Sequence, residues 1–151
     1  MIALVLGGMA LPAPYINPLT PDQVDRLRIS EVHFADPGES VDARIVSRAK
    51  NLIRLRIVER LGAKFISGRG NSDLIVTINT LQVDGTIEQP RRVEIAVSAT
   101  IVQSGVSASY SSGGVIVGRV QTATGEISAA ERLPMAAQHA ADGLVNLILT
   151  K

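Results

Sequence analysis

The stretch Arg91 to Gln103, RRVEIAVSATIVQ, decides the fold. Val93, Ile95, Val97, Ala99 and Ile101 stand at every second position, with Glu94, Ala96, Ser98 and Thr100 between them. A period of two sends successive side chains to opposite faces, so the segment predicts a strand with one buried face. The preceding segment, Leu74 to Val83, is apolar at 74, 76 and 78 and then at 81 and 83. A one-residue slip would turn the second half of that strand inside out unless an extra residue is absorbed. A bulge is therefore expected near Asn79-Thr80. Asp84-Gly85 opens the connection between the two strands, and Pro90 closes it.

Upstream, a helix is expected over 41–61, with Ser40 as N-cap, Asp42 in the first turn and Gly62 at the C′ position. Ile45, Ala49, Leu52, Ile53 and Ile57 share one arc at the helical period and make its core face. A first strand is expected over Val24 to Phe34, with a change of phase where Val32 and Phe34 take over from Leu27 and Ile29. Downstream, Ser104 to Gly114 (SGVSASYSSGG) reads as a Ser/Gly-rich connection. Val115 to Thr122 reads as a strand, Thr124-Gly125-Glu126 as a turn and Ile127 to Arg132 as a short returning strand. Pro134 suits the first position of a closing helix that reaches Leu149, with Ala137, Ala141, Leu144, Val145 and Ile148 as its apolar stripe. The order β-α-β-β-β-(β)-α predicts an α+β domain, a mainly antiparallel sheet of four or five strands with two helices on one face.

At 151 residues, 46% apolar and 19% charged, the chain is sized for one domain with a real core. That domain is expected over 24–151, after a Pro-rich linker at 14–23 (PYINPLTPDQ). Aromatic residues are 3% and Trp is absent, so Val, Ile, Leu and Ala must fill the core. The same scarcity argues against modules that stack bases on aromatic rings, and a net charge of +1 adds no case for nucleic acid. The lack of cysteine excludes disulfides, thiolate nucleophiles and Cys-bound zinc. Ile2 to Ala13 (IALVLGGMALPA) is an apolar run too short to span a bilayer and of the length of an export-signal core. Gly8 and Ala10 supply the small residues a signal peptidase reads. Residues 1–13 are therefore expected to be an export segment, and the protein periplasmic or associated with the outer envelope.

Leu6-Gly7-Gly8, followed by small residues, resembles the lipobox of bacterial lipoproteins, with Met9 where the lipidated Cys would stand. Met cannot carry a thioether-linked lipid. With the DLIVTI segment (Asp73 to Ile78) and the TGEI segment (Thr124 to Ile127), the chain resembles small proteobacterial envelope lipoproteins of unknown function. That resemblance implies an accessory or structural role and no activity.

The residues themselves point to no catalysis. His33 and His139 lack a second His or a Cys at ligand spacing, and Asp142, three beyond His139, makes a weak pair. Gly105-Val106-Ser107-Ala108-Ser109 lacks the final Gly of G-x-S-x-G and joins strand to strand. Gly68-Arg69-Gly70 precedes a strand, no phosphate loop is present, and Asp84 and Glu88 sit in a solvated turn. No catalytic residue, metal ligand or cofactor is expected. What stands out is charge: between Arg44 and Lys64 lie Arg44, Arg48, Lys50, Arg54, Arg56, Arg60 and Lys64, opposed only by Glu59. Arg56 and Arg60 fall inside its apolar arc, so either the helix end overhangs the sheet or these two line a concave edge. One reading makes Arg44, Arg48, Lys50, Arg54, Arg56 and Arg60 a surface for an acidic envelope protein or an anionic lipid surface. The other makes the protein a carrier of a small ligand or lipid in a cleft between helices and sheet.

Overall fold

A computed structural model describes residues 15–35, 43–86, 89–103, 106–117, 121–122, 125–126 and 129–151. Its elements run α1 (Pro21–Arg26), β1 (Ile29–Phe34), α2 (Ala43–Leu61), β2 (Ser72–Gly85), β3 (Pro90–Gln103), β4 (Val106–Val117), the two-residue β5 (Gln121–Thr122) and β6 (Gly125–Glu126), and α3 (Arg132–Leu149). Four strands form one sheet in the order β1-β2-β3-β4, and β5 pairs with β6 apart from it. The architecture is α+β, as the periodicity predicts. β1 and β2 are parallel because α2 carries the chain back between them, whereas β2-β3 and β3-β4 are antiparallel hairpin pairs.

β3 sets the register for its neighbours. Val93, Ile95, Val97, Ala99 and Ile101 are all buried, and Leu74, Val76, Ile78, Leu81 and Val83 of β2 stand opposite Ile101, Ala99, Val97, Ile95 and Val93. The register slips between Ile78 and Thr80, which is the bulge that keeps both halves of β2 turned to the core. β1 has its own irregularity between Ile29 and Glu31, where the sequence changes phase. Gly70 lies flat against β1: a Cβ there would stand 2.2 Å from the Arg28 carbonyl oxygen and 2.4 Å from the Ser30 nitrogen. Any side chain at 70 would push β1 off its parallel partner.

Both long helices cover one face of the sheet. α3 presents Leu133, Ala136, Ala137, Ala140, Ala141, Leu144, Val145 and Ile148, all buried; its small alanines let it lie close to β3 and β4. α2 packs beside α3 and buries Ala49, Ile53, Ile57 and Leu61. These side chains merge with those of β1 to β4 in one core cluster. Among the described residues, that cluster occupies the space between helices and sheet where a carrier needs a cleft.

Three expectations about elements change. Residues 21–26 are helical rather than linker and strand: Thr20 accepts from Gln23 N while the Gln23 side chain accepts from Thr20 N, a capping box with Pro21 in the first turn. The SGVSASYSSGG segment is mostly strand. Ser107 to Gly114 pairs with Val102 to Ile95 along β3, and Ala108 and Tyr110 alternate inward. An available hydrogen-bonding edge overrides the weak strand propensity of Ser and Gly. Residues 129–131 form a 3-10 turn that leads into α3 at Arg132, so no strand returns there. Ser40, Asp42, Glu88, Thr124, Ile127 and residues 1–14 lie outside the described residues.

Candidate functional site

The cationic residues of α2 divide by what they touch. Arg56 lies in the core-facing arc because it turns toward α3. Its Nε donates to Asp142 Oδ1 at 2.7 Å, its Nη2 to Oδ2 at 3.1 Å, and its Nη1 to Glu59 at 2.8 Å. Arg60 adds Nη1 to the same Asp142 Oδ1 at 2.8 Å and Nη2 to the Asn146 side chain. One carboxylate on α3 thus holds two arginines one helical turn apart, and the pairs are two-thirds shielded from water. The hydrogen bonds from Arg56, with those from Arg60, hold the Asp142 carboxyl below its ordinary range against the opposing effect of burial. Both arginines fasten α2 to α3, and Arg56 also lines a recess between the two helices.

Arg54 and Lys50 are directed at β1. Arg54 Nη2 donates to the Val32 carbonyl at 3.2 Å, and its guanidinium lies 5.3 Å from the Phe34 ring centre; Lys50 Nζ lies 5.9 Å from the same ring. Lys64, beyond the helix, donates to the Val24 carbonyl at 2.9 Å and so caps the last turn of α1.

Arg44 and Arg48 remain on the outer side of α2. They share a shallow recess with Ala43, Ser47, Asn51, Leu52 and Leu55. Leu52 and Leu55 also line the adjoining recess with Arg56, Glu59 and Gln138, which carries the surface across to α3. Leu55 is 69% exposed, a large aliphatic side chain placed in water among charged neighbours. The sequence contains that signal, because Leu55 falls outside the apolar arc of α2. The structure therefore does not gather the six predicted basic residues into one site. It brings Arg44, which is itself engaged within the protein, and Arg48 to a stripe with Leu52 and Leu55, and it turns Lys50 and Arg54 toward β1 and Arg56 and Arg60 toward α3.

The remaining chemistry is sparse. His33 is half exposed on the sheet face turned away from Val32, 3.8 Å from Glu31 and 4.0 Å from Asp73. Among the described residues no group of three His, Asp or Glu is arranged to hold a metal ion. His139 is exposed on α3. No described helix is long and apolar enough to cross a membrane. A polar assembly that the sequence reading missed lies at the other end of the molecule. Asn17 Nδ2 donates to the carbonyls of Leu147, Ile148 and Thr150, while its Oδ1 accepts from Leu19 N and, at 2.7 Å, from the Tyr110 hydroxyl. This one side chain closes the C-terminal end of α3 and ties it to β4.

No family model and no curated protein matches the chain. Among solved structures it is similar to a candidate lipoprotein of Caulobacter crescentus, with 12% identity over 85% of this chain and 91% of that one and a TM-score of 0.46. It is similar to a PelC dodecamer subunit from Paraburkholderia phytofirmans, with 7% identity over 83% and 92% and a TM-score of 0.49. A Xanthomonas campestris protein matches with 14% identity over 82% and 83% and a TM-score of 0.45.

Proposed function

We propose that the protein is a non-catalytic module of the bacterial envelope that docks an acidic segment of a partner protein along the outer stripe of α2. The observation that carries this reading is Leu55, exposed beside Leu52 and continuous with Arg48 and Arg44 on successive turns. An isolated cation on a helix surface is fully served by water. An aliphatic pair beside a guanidinium group fits an amphipathic acidic partner, whose apolar side covers the leucines and whose carboxylates meet Arg48. The filled space between helices and sheet favours this reading over carriage of a ligand.

A photo-crosslinking side chain placed at Leu55, in cells that express the full chain, tests it. The expected result is a discrete crosslinked protein that weakens as salt rises and is lost when Arg48→Glu is added. Arg48 is exposed, so that change leaves the melting temperature within a degree or two. Equal crosslinking from the exposed Gln82, on the far part of β2, would overturn the assignment.

A further inference from the structure

The end of the molecule opposite the N-terminus of α2 carries a second, different surface. Three cations converge on Asp25: Lys151 pairs with its carboxylate, while Lys64 Nζ and Arg28 Nη1 lie 3.3 and 3.1 Å from its carbonyl oxygen. One acid does not neutralise three bases, and neighbouring Arg26 and Asp22 cancel each other. Burial and the charges of Arg28 and Lys151 lower the pKa of Lys64, partly offset by Asp25, as expected of crowded like charges. At the same end the chain enters the domain, since Asn17 is bonded to the last turn of α3 immediately before Lys151. Just before Asn17, Ile16 is 82% exposed and Tyr15 is 43% exposed. The residues that lead into Tyr15 in sequence are the apolar run Ile2 to Ala13 and Pro14.

We infer that this end rests on an anionic lipid surface, with Ile16 and Tyr15 entering the headgroup boundary and Arg28, Lys64 and Lys151 lying over lipid phosphates. The chemistry is that of an interfacial contact: an apolar side chain and an amphipathic ring mark the boundary, and three cations, the collar, stand at the same end of the molecule. An acidic protein would satisfy the cations but gives no reason for an aliphatic and a phenol at the point of chain entry after twelve apolar residues. The inference also fixes an orientation. α2 ends at Leu61 beside the collar, and Arg44 stands seventeen residues back along the same helix, roughly 25 Å away at 1.5 Å per residue. The Arg44 end of the stripe proposed for the protein partner is thereby the part farthest from the collar along α2.

The lack of native cysteine allows single labelling sites in the full chain. Cysteines at Ala63 by the collar, Ser47 on the α2 stripe and Thr86 at the far hairpin, all exposed, would each carry an environment-sensitive fluorophore. The labelled proteins are mixed with vesicles of phosphatidylglycerol and phosphatidylethanolamine that contain a headgroup-level quencher, and in parallel with phosphatidylcholine vesicles. The expected result is quenching at Ala63 alone, on the anionic vesicles alone, reduced by added salt. Lys151→Gln should weaken vesicle binding about fivefold, and Ile16→Ser on the order of tenfold, with folding unchanged. Quenching of Ala63 equally on neutral vesicles and unaffected by Lys151→Gln would assign attachment to residues 2–13 and overturn the collar. Quenching at Ser47 without Ala63 would overturn it too, by making the α2 stripe the lipid face. The crosslinking at Leu55 reads out the partner surface separately, so either proposal can fail without the other.

Discussion

β3 and β4 are adjacent strands of one ladder, yet they owe their conformation to different causes. β3 carries five buried apolar residues at alternate positions and would read as a strand in any context. β4 carries Ser, Ala and Gly through most of Ser107 to Gly114, and Ala108 and Tyr110 are its buried side chains among those described. It is held by the exposed edge of β3, by the alanine face of α3 and by the hydroxyl of Tyr110 on Asn17. The first strand is specified by its own pattern and the second by its neighbours. Local propensity is the weaker of the two influences once a complete hydrogen-bonding partner is present.

The largest effect should come from the self-specified strand. Val97→Asp puts a carboxylate into the centre of the core, where Val97 is 1% exposed and opposite Ile78. The cost is several kcal/mol against a total stability of about 5–15 kcal/mol. Loss of the cooperative melting transition is expected, and an unchanged melting temperature would contradict the placement of the inward face.

Asn17→Ala attacks the borrowed order. It leaves the Tyr110 hydroxyl and the last carbonyls of α3 without their partner, at a cost of about 2 kcal/mol. Hydrogen exchange should accelerate in β4 and the last turn of α3 before it does in the centre of β3; uniform acceleration would erase the distinction between the strands.

Tyr110→Phe keeps the packing and removes one bond, at about 1 kcal/mol. It also probes alkaline stability. Burial, with a smaller effect from Tyr15, pushes the Tyr110 phenol up to about 12 from an ordinary value of 10.0. The neutral phenol is thus favoured in the folded state, and its contribution is complete below pH 10.0 and lost as pH rises toward about 12. The wild type should lose stability across that window, and the Phe variant should lose less. Parallel alkaline limbs in thermal melts would show that Tyr110 is not the group responsible.

The smallest effect sharpens the comparison most. Ser109→Val, on the outward face opposite Thr100, should raise stability by about 0.5 kcal/mol because β4 lacks intrinsic strand preference. Thr100→Val in β3 should gain less, since Thr already suits a strand. Chemical denaturation of the two variants decides between a gain confined to β4 and no difference.

These contrasts also explain what could be read from the sequence. β2, β3, the bulge after Ile78 and the faces of α2 and α3 were legible because each rests on the periodicity of its own residues. α1 was legible in principle, since Thr20-Pro21-Asp22-Gln23 is a capping sequence, but the surrounding prolines favoured an extended reading. β4 was not, because its cause lies in β3 and α3. The basic helix divides in the same way. Composition revealed its charge, but only the position of Asp142 on another helix shows that Arg56 and Arg60 are structural. Asn17 was out of reach of any local pattern, as its partners on α3 lie 130 to 133 residues away.

That last separation shapes how the chain can come to be folded. Asn17 is made 130 residues before Leu147, so the bonds between them wait for the final turn of α3. A growing chain can form the β2-β3 hairpin early, but it cannot seal the end where its beginning and close meet. The domain is closed into a ring there by the Asn17 amide, with the Lys151–Asp25 pair beside it. Joining residue 151 to residue 15 through a short linker and opening the chain at the Thr86 hairpin should therefore preserve the fold while moving the last step of its assembly elsewhere.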